Sequence, residues 1–128
     1  MKIDAPIITR DPSDAADLSS KIEASGFDGL CTFEGPHEPF LPLAVAASNT
    51  KKINLITSIA IAFARNPMLL ANIGYDLQLL SKGRFIMGLG SQIKPHIEKR
   101  FSMPWSSPAN RMREMIQAIK SIWECWED

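Results

Sequence analysis

Four times along this chain a polar residue followed by proline stands at the head of a helical pattern: Asp11-Pro12, Glu38-Pro39, Asn66-Pro67 and Ser107-Pro108. Proline suits the first helical turn, where its missing N–H has no partner to lose. Each pair follows a short apolar stretch of strand character. Four successive strand–helix units with short links imply a parallel sheet with right-handed crossovers. Two architectures satisfy that pattern: a small doubly wound sheet, or half of an eight-unit barrel, which normally needs about 250 residues. The chain has 128 residues, the length of one domain.

The units are readable one by one. Ile3 to Thr9 is apolar with Pro6 inside it, which suits a strand start or an edge. The first helix opens at Asp11-Pro12, has Asp14 in its first turn, buries Ala15, Leu18 and Ile22, and stops at Gly26. Phe27 to Phe33 reads as the second strand, followed by Glu34-Gly35-Pro36-His37 and an alanine-rich helix from Glu38-Pro39 to Ser48. Ile53 to Ala60 is β-branched enough for a buried strand. The stretch Asn66 to Gln92 is the most informative. Asn66 caps a helix whose Leu69, Leu70, Ile73, Leu77 and Leu80 share one face, and Gly83 supplies the left-handed stop. Arg84 to Met87 then reads as a strand, and Gly88, Gly90 and Ser91 as a turn at its far end. After a loop with a short helical turn, Met112, Met115, Ile116, Ile119, Ile122, Trp123 and Trp126 form one stripe of a last helix, read as core.

Bulk properties exclude several functions. Fourteen basic and fourteen acidic residues leave no electrostatic footprint for nucleic acid. No apolar run approaches the roughly 20 residues of a membrane span, and the first residues lack a signal-peptide pattern, so a cytoplasmic protein is expected. Cys31 and Cys125 are read as buried free thiols in a reducing compartment. Two histidines and two scattered cysteines make no metal site. No phosphate-loop lysine and no nucleophile elbow occurs.

The residues resemble a known family. Asp76, Leu80-Ser81-Lys82-Gly83-Arg84-Phe85 and Gly88-Leu89-Gly90-Ser91 look like the signature of the bacterial luciferase-like flavin or deazaflavin oxidoreductases. The likeness extends upstream through Ile53 to Ser58 and through Glu34 with His37-Glu38-Pro39-Phe40-Leu41-Pro42. Downstream, GLGSQIKPHIEKRFSMPW is similar to the subgroup that depends on coenzyme F-420. The resemblance covers nearly the whole chain. It implies an α/β fold in which residues 1–128 form four successive βα units, the N-terminal half of a TIM (β/α)8 barrel and a truncated domain beside the full family fold. A gene fragment, a split protein and a shortened product are equally compatible with this.

By the same resemblance the activity is hydride transfer between F-420 and an organic substrate. The alternatives are an FMN-dependent monooxygenase using molecular oxygen, and a non-catalytic half-barrel that pairs with a second copy or with a missing C-terminal half. Strand ends on one rim form a barrel's site. The resemblance places Glu34 and His37 there as catalytic candidates, His37 because imidazole exchanges protons near neutral pH. It makes Thr57, Ser58 and Ile59 cofactor contacts, with a non-proline cis peptide at Ser58-Ile59. Gly88 and Gly90 would let backbone approach the ring, and Ser91 and Gln92 would bond its tail. Asp76 is expected to meet backbone or Arg84, His96 to stay in a loop, and Trp105 to line the substrate side. The cofactor's phosphate is held largely by later units in the family, for which this chain has no counterpart.

Overall fold

The structure, a computed structural model, describes residues 1–128. Strands and helices alternate throughout: β1 (Asp4–Pro6), α1 (Ala15–Ala24), β2 (Gly29–Thr32), α2 (Phe40–Asn49), β3 (Asn54–Ile61), α3 (Pro67–Leu80), β4 (Phe85–Gly90) and α4 (Pro108–Glu127). Single 3-10 turns at Pro12–Asp14 and Ala62–Ala64, and a π-helical turn at His96–Arg100, fill the connections. The sheet order is β1-β2-β3-β4, with Asp4 opposite Gly29 and Gly29 opposite Asn54 in parallel register. Four parallel strands in sequence order, each followed by a helix, are the first half of a (β/α)8 barrel. A doubly wound sheet would have reversed its strand order part-way.

Element ends differ from the sequence reading for local reasons. β1 is shorter than Ile3–Thr9, because Pro6 lacks an N–H and only Ile7 N–H carries the pairing on, to the Cys31 carbonyl at 2.8 Å. β2 is trimmed to Gly29–Thr32. Asp28 is drawn into a reciprocal pair with Ile3, accepting its N–H on Oδ2 at 2.8 Å and donating its own N–H to the Ile3 carbonyl at 2.9 Å. β4 runs three residues past the expected end at Met87, through Gly90. The helix starts hold: the Asn66 side chain accepts the Leu69 N–H at 2.9 Å, and Gly83 sits at φ +87° beyond α3.

The chain contains two compact units, Met1–Ala60 with Asp76–Gly88, and Ile61–Tyr75 with Leu89–Asp128. In the first, Leu30, Leu55 and Phe85 are buried on the helix side of the sheet, and the Phe40 ring of α2 lies 6.4 Å from that of Phe85. The opposite face is open, with Cys31 and Ile56 half-buried and Ile86 48% exposed. Gly29 belongs to that face. A Cβ there would run into the Asp4 carboxylate and come within 3.0 Å of Ile56.

At the other edge of this unit Arg84 acts as a hub. Its guanidinium donates to the carbonyls of Ser81, Ile53, Ala47 and Thr50 and to the Thr50 hydroxyl, all between 2.8 and 3.1 Å. Asp76 is exposed and takes no part, since these four carbonyls and the Thr50 hydroxyl already occupy the Arg84 donors. Glu23 accepts the N–H groups of Lys51, Lys52 and Ile53 at 2.8 to 3.1 Å. Burial pushes its carboxyl up, but those three N–H groups and the Arg84 charge outweigh burial and hold it below the usual range.

In the second unit, α4 lies on the first turns of α3. Trp123 Nε1 donates to the Ala71 carbonyl at 3.0 Å, and the Tyr75 and Trp126 rings meet edge-on at 5.4 Å. Met115 and Ile119 are buried, whereas Ile116 and Trp126 remain about 40% exposed, so only part of the α4 stripe is core. Cys125 is exposed on this helix, against expectation, because it lies off the buried seam. Cys31 is half-buried; burial and then the Asp4 charge push its thiol up, and neither cysteine is in a disulfide.

Candidate functional site

In the first unit the segment just after β2 meets β3 and β4 around Thr57 and Gly88. Thr57 is fully buried, and its hydroxyl donates to the Gly88 carbonyl and accepts the Gly88 N–H, both at 2.9 Å. The two strands approach so closely that a Cβ on Gly88 would collide with the Thr57 carbonyl oxygen. Glycine at 88 is therefore demanded by strand packing, and the Thr57 hydroxyl is engaged on both sides by Gly88. The next two residues, Ser58 and Ile59, turn outward and are exposed, and the peptide between them is cis. Glu34, just beyond β2, donates its N–H to the Ile59 carbonyl at 3.1 Å. Glu34, Thr57, Ser58, Ile59 and Gly88 thus stand together.

The loop from Phe33 to Pro39 is closed at its base by the Thr32 hydroxyl, which donates to the Pro39 carbonyl at 2.8 Å. Glu38 accepts the Phe40 N–H at 3.1 Å and so caps α2 with its side chain. Pro42 falls in the first turn of α2, where no N–H is needed. His37 is exposed at the crest of this loop, on the rim of an open cleft of about 530 Å³ between the loops after β1 and β2.

Gly90, Ser91 and Gln92 follow in the second unit. Ser91 Oγ donates to the Gln92 carbonyl at 3.1 Å, and Gln92, at φ +58°, accepts the Ile93 N–H on its side-chain oxygen at 3.1 Å. In the same unit Trp105 meets the buried Phe63 ring edge-on at 6.0 Å, and the Arg111 guanidinium covers that ring at 4.4 Å. His96 is exposed in the π-helical turn. No group of three or more His, Cys, Asp or Glu side chains is placed to hold a metal ion. No helix is long and apolar enough to cross a membrane.

The family model for luciferase-like monooxygenases matches residues 3–127. The chain belongs to this family. An uncharacterised protein of Mycobacterium tuberculosis is 60% identical over 114 residues, covering 89% of this chain and 34% of the relative. A candidate coenzyme F-420-dependent oxidoreductase of the same organism is 33% identical over 113 residues, covering 88% of this chain and 33% of the relative. Among solved structures, the oxygenating constituent of 3,6-diketocamphane monooxygenase from Pseudomonas putida, in complex with FMN, superposes with a TM-score of 0.82 at 17% identity. It is covered over 40% of its length by 96% of this chain. The coenzyme F-420-dependent tetrahydromethanopterin reductase of Methanopyrus kandleri gives 0.79 at 23% identity, over 92% of this chain and 39% of its own. The chain thus spans about a third of the curated relatives it matches. The two structures speak for the fold alone.

Sequence reasoning missed the Arg84 and Glu23 ties. Arg84 stands inside the motif that carried the resemblance, but apart from Ser81 its partners lie 31 to 37 residues upstream, beyond any local pattern.

Proposed function

We propose that this chain supplies the ring-facing half of an oxidoreductase site that moves hydride between coenzyme F-420 and a small organic substrate. The observation that carries the reading is the 33% identity over 113 residues to the mycobacterial relative named for that cofactor. The geometry is compatible with it. Ser58 and Ile59 form an outward ledge, partly apolar, suited to one face of a flat tricyclic ring, and Thr57, Gly88 and the Glu34 N–H hold that ledge in place. Gly90, Ser91 and Gln92 are the residues for the tail, and Glu34 and His37 those for substrate and proton. The cofactor, when bound, supplies the hydride chemistry, and the chain binds and orients it. Free thiols at Cys31 and Cys125 accord with the reducing cytoplasm where this reading places the protein.

An FMN-dependent monooxygenase is the second reading, favoured by the description of the family model itself. Fluorescence polarisation of F-420, with FMN measured in parallel, separates the two. A rise with F-420 and none with FMN is expected; the reverse would transfer the proposal to the monooxygenase. Binding of neither would mean that this chain alone holds no cofactor. Completion by a second copy, or by a C-terminal half-barrel, belongs to the same proposal, since by the family resemblance the phosphate-holding units lie outside these residues.

A further inference from the structure

The cleft between the loops after β1 and β2 has a chemistry of its own. Three large apolar side chains on its lining face water: Ile8 is 73% exposed, Phe33 51% and Leu41 52%. Single exposed hydrophobics are ordinary, but three converging on one concavity of ligand size make a binding surface. The ionisable side chains on the lining are Arg10, His37 and Glu38. Glu38 is engaged as the cap of α2. The acids nearest Arg10 in sequence are engaged as well: Asp11 accepts the Ser13 N–H at 2.9 Å, and Asp14 accepts the Thr9 hydroxyl at 3.1 Å. Arg10 itself makes no ion pair and no side-chain hydrogen bond. A guanidinium without an acid, beside an apolar wall, is complementary to an anion with an apolar body.

The geometry points to this cleft as a binding site for a small amphipathic carboxylate, its head on Arg10 and its hydrocarbon on Ile8, Phe33 and Leu41. The cleft shares His37 with the proposed redox site, but the inference rests on Arg10 and the apolar wall and its test uses no cofactor, so the two fail separately.

Isothermal titration of the full chain with octanoate, octan-1-ol and octyltrimethylammonium tests it. Octanoate should bind about tenfold tighter than octanol, and the ammonium compound weakest. Arg10→Gln should bring octanoate down to the affinity of octanol and leave octanol unchanged, whereas Arg10→Lys should keep most of the preference. Leu41→Ser should weaken both ligands alike. Amide chemical-shift changes should fall on residues 8–10 and 33–41. Equal affinity for octanoate and octanol, octanoate binding unchanged by Arg10→Gln, no binding at all, or shifts confined elsewhere would each overturn the proposal. Arg10 is exposed, so its variants should keep the native circular dichroism.

Discussion

Arg84 shows how much one side chain can organise. Four carbonyls and a hydroxyl from three segments converge on its guanidinium, and the planar fork meets them together as no ammonium can. Arg84→Ala should destabilise the chain by about 3 kcal/mol in urea unfolding, since buried acceptors lose their donors, and Arg84→Lys should recover less than half. Thr57 does the comparable work at the opposite strand ends. Thr57→Val keeps the shape but leaves Gly88 without its two partners, at a cost of about 2 kcal/mol, while Thr57→Ser should stay close to the native stability. Glu23 makes stability depend on pH. Its carboxyl is held below the usual range in the folded chain, so its contribution is complete above the unfolded value and is lost as pH falls through the folded one. Urea midpoints should therefore drop on acidification below about pH 4, and Glu23→Gln should flatten that drop. An unchanged slope in Glu23→Gln would refute the assignment.

Helix boundaries were legible in the sequence because their signals are local. Asn66 and Gly83 bracket α3 through a side chain and a backbone angle that need no distant partner. Asn66→Ala should cost about 1 kcal/mol of stability and Asn66→Asp almost nothing, measured by thermal unfolding. Strand ends were less legible. Gly88 has the composition of a turn, yet it lies inside β4 because Thr57, 31 residues earlier, takes both its polar groups and leaves no room for a Cβ. The α4 stripe shows the same limit from the other side. Its spacing is helical throughout, but only Met115 and Ile119 are buried, and periodicity alone does not say how much of a face is covered. Of the candidate site, the ledge at Ser58 and Ile59 was legible through family resemblance. The Arg10 cleft was not, since its walls come from two loops with no shared motif.

Four βα units close no barrel. The open face of the sheet carries Ile86 and Ile56, with Ile59 at its exposed end, and strands β1 and β4 each present an unpaired edge. Free edges beside apolar side chains favour association in water. The family's full fold covers such a face with four further units, and this chain spans only about a third of its curated relatives. We propose that a second copy, or the remaining units of a full barrel, covers that face. Light scattering on the purified chain should therefore report a dimer, and Ile86→Asp, which places a charge on the open face without touching the helix side, should shift the population to monomer. Thr57, Arg84 and Glu23 are remote from that change in role, so the urea midpoint of the Ile86→Asp monomer should keep its dependence on pH. A native chain that stays monomeric at every accessible concentration would rule out self-pairing.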